Sequence, residues 1–131
     1  MKKIITLIIA LSPLVSKGQS LWGFTPSEVR EKRPGVEWHY NKWGDDKDML
    51  TMAFEQDGMY ITYLFNQSNK SVFTIATPLT TAKLQGMIEL YNKKYVIIDN
   101  YNWKYYDSGA VHHCELKQTD DGSYYFLWSV E

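Results

Sequence analysis

The fold of this chain is decided by residues 50–65, which read LTMAFEQDGMYITYLF. Apolar side chains recur at every second position on both sides of Gln56-Asp57-Gly58, at positions 50, 52 and 54 and then at 59, 61, 63 and 65. This period of two is typical of a strand with one buried face, and an Asp-Gly pair favours the tight turn of a hairpin. The stretch therefore predicts two antiparallel strands.

Further strands are predicted outward from this hairpin. Short apolar segments occur at 36–40, 71–77, 96–98, 110–118 and 124–130, and the segment at 96–98 is open to an extension through 103–106. Polar turn residues separate these segments at 42–48, 66–70, 107–109 and 120–122. The pattern is that of strands joined by short turns.

Two helices are predicted. Thr25, Pro26 and Glu28 have the residue types and spacing of an N-cap, a first helical position and a capping box, and Pro34-Gly35 ends this short helix. A longer helix, about 80–95, begins at Thr80 or Thr81 and carries one apolar stripe at positions 84, 87, 88, 91 and 95. Together these elements predict an α+β fold: a mostly antiparallel sheet of about five to six strands with both helices packed on one face.

The amino terminus predicts export. Lys2 and Lys3 precede the apolar run 4–14. The triplet Ser16-Lys17-Gly18 follows, with small residues at its first and third positions. This is the pattern of a signal peptide, residues 1–18, which is too short for a transmembrane helix. We therefore expect a single α+β domain at 19–131, periplasmic or secreted, with no membrane span after cleavage.

The charge argues against two classes of partner. The chain has 14 basic and 15 acidic side chains, and three of the basic ones lie in the leader, which leaves residues 19–131 with a net charge of −4. Nucleic-acid affinity depends on Lys and Arg neutralising phosphates, and binding to anionic membranes needs basic clusters. Neither partner is expected.

His112 and Cys114 are the candidates for metal or thiol chemistry, since His and Cys are zinc ligands and could form a nucleophile–base pair. Two positions apart on a strand, they share one face, which looks like the core side, while His113 faces the other way. Two ligands do not complete a structural zinc site, so neither a metal nor another cofactor is expected. Cys114 is the single cysteine and has no intramolecular disulfide partner; a buried inert thiol and an intermolecular disulfide are the two interpretations.

Aromatic residues make up 15% of the chain and supply the candidate binding residues. Trp38, Trp43, Trp103 and Tyr105 are the speculative set. If Trp103 and Tyr105 point outward they form a ligand platform, and if inward they are core. A register slip of one residue reverses the answer, so both interpretations stay open.

Residues 21–29, LWGFTPSEV, resemble the opening of small envelope modules of the SmpA/OmlA and β-lactamase-inhibitor-protein-like type. In that group a Gly, a Thr cap and a short helix precede an antiparallel sheet. The resemblance implies a non-catalytic, protein-binding role and transfers no catalytic residue. The chain also looks like the small secreted proteins of unknown function that are common in Gram-negative genomes.

Three functions follow as hypotheses. The first is an exported, non-catalytic domain that binds a protein or an envelope component through an open sheet face or aromatic loops. The second is a carbohydrate-binding module that uses exposed Trp and Tyr. The third is a small metal- or thiol-dependent enzyme at His112 and Cys114. The partner's identity and the oligomeric state are left open.

Overall fold

The computed structural model describes residues 21–45, 48–107 and 109–130. The predicted leader at 1–18 lies outside the described residues, as do Asp46 and Lys47 of the predicted turn at 42–48 and Ser108 of the predicted turn at 107–109. Two helices and eight strands are described. In chain order they are α1 (Pro26–Lys32), β1 (His39–Trp43), β2 (Met49–Gln56), β3 (Met59–Phe65), β4 (Ser71–Pro78), α2 (Thr81–Lys94), β5 (Val96–Asp99), β6 (Asn102–Asp107), β7 (Ala110–Gln118) and β8 (Tyr124–Val130).

All eight strands form one antiparallel sheet, in the order β1-β2-β3-β4-β8-β7-β6-β5. Each half of the chain is a helix followed by a four-stranded meander, and the two meanders join through the antiparallel pair β4–β8. The prediction of an α+β fold with five to six strands is therefore wrong: the fold is mainly a β-sheet with two helices.

Two local predictions also differ from the structure. The strand expected at 36–40 is β1 at His39–Trp43, which pairs with β2 from His39↔Ala53 to Trp43↔Met49, so the loop predicted at 42–48 begins late. The segment from 96 to 106 is two strands rather than one. The Asp99 carboxylate accepts hydrogen bonds from the Tyr101 backbone N–H at 2.9 Å and from Asn102 Nδ2 at 2.7 Å. These bonds form the turn that sends β6 back along β5.

The hairpin in residues 50–65 is confirmed, with β2 paired to β3 from Thr51↔Leu64 to Gln56↔Met59. Asp57 and Gly58 both have positive φ angles, +54° and +78°, as a two-residue turn that matches the strand twist requires. Both helix starts are also confirmed. The Glu28 N–H donates to Thr25 Oγ1 while Glu28 Oε1 accepts from the Thr25 N–H, and the Lys83 N–H donates to Thr80 Oγ1.

The core lies between the helices and one face of the sheet. Met87 and Tyr91 of the predicted α2 stripe are buried, as is Val29 of α1. They pack with every second residue of the strands, in a cluster that includes Met52, Phe54, Ile61, Tyr63, Phe65, Trp103, Cys114, Phe126 and Trp128. We call this side the helix face and the other side the open face.

Candidate functional site

Trp103 lies in the core of the helix face. It is 0% exposed and pairs with Cys114 across β6 and β7. Its ring meets Tyr91 of α2 with centroids 5.6 Å apart and an interplanar angle of 72°. Its indole Nε1–H donates to Asn92 Oδ1 at 2.8 Å. Trp103 therefore points inward, which is one of the two interpretations of the sequence, and its side chain is not available to a surface ligand.

Tyr105 shares the helix face with Trp103, is half-buried, and stacks against two aromatic neighbours. Tyr95 stacks on it with centroids 5.0 Å apart, and His112 with centroids 4.5 Å apart and an interplanar angle of 13°. A sugar ring binds to an aromatic side chain by lying on a free ring face. The stacked neighbours reduce the ring surface that Tyr105 offers to a sugar.

His112 and Cys114 point to the helix face, the core side that strand alternation predicts. His112 is 8% exposed and Cys114 is 0% exposed. Burial raises the pKa of the Cys114 thiol well above its ordinary value, with the Glu115 charge adding to the shift. Because the thiolate is the nucleophile and the metal ligand, this environment favours an inert thiol. Among the described residues there is no cluster of three or more His, Cys, Asp or Glu side chains that could hold a metal ion.

The other two candidates lie at the opposite end of the sheet. Trp38 is half-buried on the helix face, with its ring at 5.1 Å from Phe54 and 6.3 Å from Tyr63. Trp43 is half-buried, and its Nε1–H donates to the Phe65 carbonyl at 2.8 Å. Five strands lie between β1 and β6, a separation of about 29 Å at the usual strand spacing. The four aromatic candidates therefore do not form one site.

The open face carries a surface that the sequence analysis did not identify. Its centre is an apolar group that we call the open-face patch: Trp43, Leu64, Phe73, Ile75, Tyr125 and Leu127. Ile75 pairs with Leu127 across β4 and β8, and Leu64 pairs with Phe73 across β3 and β4. Trp43 meets Phe73 edge-on, with centroids 6.4 Å apart. Phe73 is 37% exposed and the other members are half-buried.

Polar and charged side chains surround the open-face patch. Thr62 and Glu115 are the cross-strand neighbours of Ile75 and Leu127 in the same row. Glu115 forms a salt bridge with Lys117 at 3.5 Å, and farther along the face Lys104 Nζ lies 5.6 Å from the centre of the Tyr106 ring. These exposed pairs contribute little to stability, but they give the patch a rim of mixed charge.

A shallow, open depression of about 300 Å³ lies at the start of α2, where Leu79, Leu84 and Tyr124 line its walls. The Thr80 hydroxyl at its side already accepts the Lys83 N–H. No Asp, Glu, His, Lys or Arg is among the lining residues.

Comparisons of the chain with protein-family models, curated proteins and solved structures find no match. The resemblance to the SmpA/OmlA and β-lactamase-inhibitor-protein-like modules therefore stays a prediction. Within the part of the chain that the structure describes, no helix is long and apolar enough to cross a membrane.

Proposed function

We propose that this chain is an exported, non-catalytic binding module that docks a protein partner against its open-face patch. The observation that carries the proposal is the position of the helices. Met87 and Tyr91 of α2 and Val29 of α1 all join the core on the helix face. Both described helices thus lie on one side, and neither of them covers the apolar residues of β4 and β8 on the other side.

The composition of the patch supports a protein partner. Protein interfaces have an apolar and aromatic centre inside a polar rim, and contiguous apolar surface on a soluble domain commonly marks an interaction site. Trp43, Phe73 and Tyr125 supply the aromatic side chains, while Thr62, Glu115 and Lys117 lie at the edge. The apolar residues of the open-face patch are not part of the core, because the core is formed by the residues of the helix face.

The surroundings of the other candidate groups also support a non-catalytic role. A thiol nucleophile works from a partly open, electropositive site that lowers its pKa. Cys114 is fully buried, and its pKa is shifted in the opposite direction.

The proposal is tested by photo-crosslinking from two positions in cells that export the protein. A benzophenone amino acid replaces Phe73 on the open face in one variant and Tyr40, 54% exposed on β1, in the other. We expect a defined protein adduct from position 73 and none from position 40. The crosslinked protein, identified by mass spectrometry and purified, is then titrated calorimetrically with the wild-type chain and with Leu127→Glu. A carboxylate placed in the patch should weaken binding by at least about tenfold.

Tyr40→Glu is the matched control, since it adds the same charge at an exposed aromatic position outside the patch. It should bind as the wild type does. Equal adducts from both positions, or a Leu127→Glu variant that is folded by circular dichroism and binds at full strength, would contradict the proposal.

A further inference from the structure

The two edges of the sheet differ in chemistry. At the first edge, β1 carries His39, Asn41 and Lys42, all exposed. Asn41 Oδ1 also accepts the backbone N–H of Lys42 at 2.8 Å, which occupies one ladder donor of that strand. Charged side chains and locally bonded backbone groups are the usual protection of an edge against pairing with another chain.

The second edge, β5, is less protected: Asp99 at its end is its one charged residue, and the register shifts between Ile97 and Asp99. Val96, Ile97 and Ile98 are 50%, 52% and 49% exposed, three consecutive apolar residues on a strand whose outer side has no neighbour in the described sheet. Val96 pairs with Lys104 and lies on the open face, whereas Ile97 pairs with Trp103 and lies on the helix face. A partner at this edge must form hydrogen bonds with the outer backbone N–H and C=O groups of β5 and must place apolar side chains on both faces of the sheet. An extended apolar strand does both.

We propose that the occupant is β5 of a second copy of this chain, paired antiparallel about a two-fold axis that is perpendicular to the sheet and lies midway between the two Ile97 residues. This axis keeps the helices of both copies on the same side. It places Ile97 opposite Ile97 of the second copy on the helix face, and Val96 opposite Ile98, which lies at the register shift between Ile97 and Asp99. Apolar residues then meet apolar residues along the joined edges.

The charges near β5 agree with this register. Asp99 lies opposite Tyr95 of the second copy, so no two like charges meet directly along the paired strands. The arrangement is also closed. Because polar side chains and the Asn41 hydrogen bond protect β1, each chain offers β5 as its edge for pairing. A symmetric contact in which both copies use this same edge ends at two copies and does not grow into a filament.

The pairing joins two eight-stranded sheets into one and repeats the open-face patch on the same side of the dimer. A contact built on a four-residue strand lies at the small end of protein interfaces, so we expect a dimer that dissociates on dilution. This interface is separate from the open-face patch, so a result that contradicts one of the two proposals leaves the other unaffected.

Sedimentation velocity of the purified protein from about 1 µM to about 1 mM is the first test. We expect the mass to rise with concentration from one copy to two. Ile97→Lys and Ile97→Glu should each remain monomeric, since the axis places each new charge against its own copy. An equimolar mixture of the two should form a 1:1 heterodimer, because lysine then meets glutamate.

Tyr40→Lys on β1 is the matched control and should dimerise as the wild type does. Hydrogen exchange at two concentrations gives a readout that needs no variant: β5 amides should gain protection at the higher concentration and β1 amides should not. A wild type that stays monomeric throughout, protection gained at β1 instead, or a mixture of the two charged variants that stays monomeric would overturn the proposal.

Discussion

The indole Nε1–H of Trp103 on β6 donates a hydrogen bond of 2.8 Å to Oδ1 of Asn92 on α2. This bond links the longer helix to the sheet and satisfies the polar atom of a side chain that is otherwise fully buried. A buried indole without an acceptor would lose its bond to water and gain nothing in return.

Asn92→Ala should therefore lower the free energy of unfolding by about 1 kcal/mol, and by as much as about 3 kcal/mol if water does not reach the indole. Urea denaturation measures the difference. Gln85→Ala, which removes an exposed amide from the same helix, is the matched control and should change stability by less than about 0.5 kcal/mol. Equal losses in the two variants would show that the hydrogen bond to Trp103 contributes nothing.

Tyr91 is the centre of the aromatic core. Its ring lies 5.6 Å from Trp103, 4.9 Å from Phe126 and 5.4 Å from Trp128, in each case nearly edge to face. Tyr91→Ala removes these contacts and leaves a cavity, so the free energy of unfolding should fall by about 3–5 kcal/mol. Thermal or urea unfolding gives the value, with Tyr40→Ala as the exposed control. A loss below about 1 kcal/mol would mean that the helix is not held to the sheet by this residue.

The structure explains which parts of the fold the sequence could predict. The β2–β3 hairpin depends on local alternation and on Asp57-Gly58, and both signals lie within a few residues. The same is true of the Thr25 and Thr80 caps. One of the eight strands was missed because the turn at Asp99 interrupts no apolar pattern, so residues 96–106 were open to being one strand.

The candidate site was less accessible to sequence reasoning because orientation depends on pairing between distant strands. Trp103 faces the core because it pairs with Cys114, and Tyr105 does so because it pairs with His112. The open-face patch depends on the β4–β8 pair, which brings Ile75 beside Leu127 from positions far apart in the chain. The segments 71–77 and 124–130 have apolar residues on both faces, which was the available signal for a second apolar surface. This pattern does not tell which face of the sheet the helices cover.

Cys114 should not react with thiol reagents in the folded protein. Its side chain is fully buried, and burial raises its pKa, so both access and thiolate are lacking. Ellman's reagent should show one reactive thiol per chain only after denaturation, at a rate that follows unfolding. Fast modification of the folded chain would instead support the thiol-dependent hypothesis and count against the non-catalytic proposal. The denatured sample is the control, since it shows that the thiol is free rather than already in an intermolecular disulfide.

One buried phenol, Tyr63, and one half-buried phenol, Tyr95, should make the fold sensitive to alkali. Burial raises the pKa of Tyr63 to about 12, against a smaller opposing effect of the Arg33 guanidinium beside it, and burial likewise raises the pKa of Tyr95. The unfolded chain ionises its tyrosines near pH 10. Since the folded pKa is the higher one, the stabilisation is fully present below pH 10 and is lost as the pH rises towards 12.

Urea denaturation at a series of alkaline pH values should show the free energy of unfolding falling across this window. Tyr63→Phe removes one of the shifted groups and should make the fall less steep, whereas Tyr40→Phe should leave it unchanged. Identical slopes in the wild type and Tyr63→Phe would mean that the Tyr63 hydroxyl ionises without opening the core.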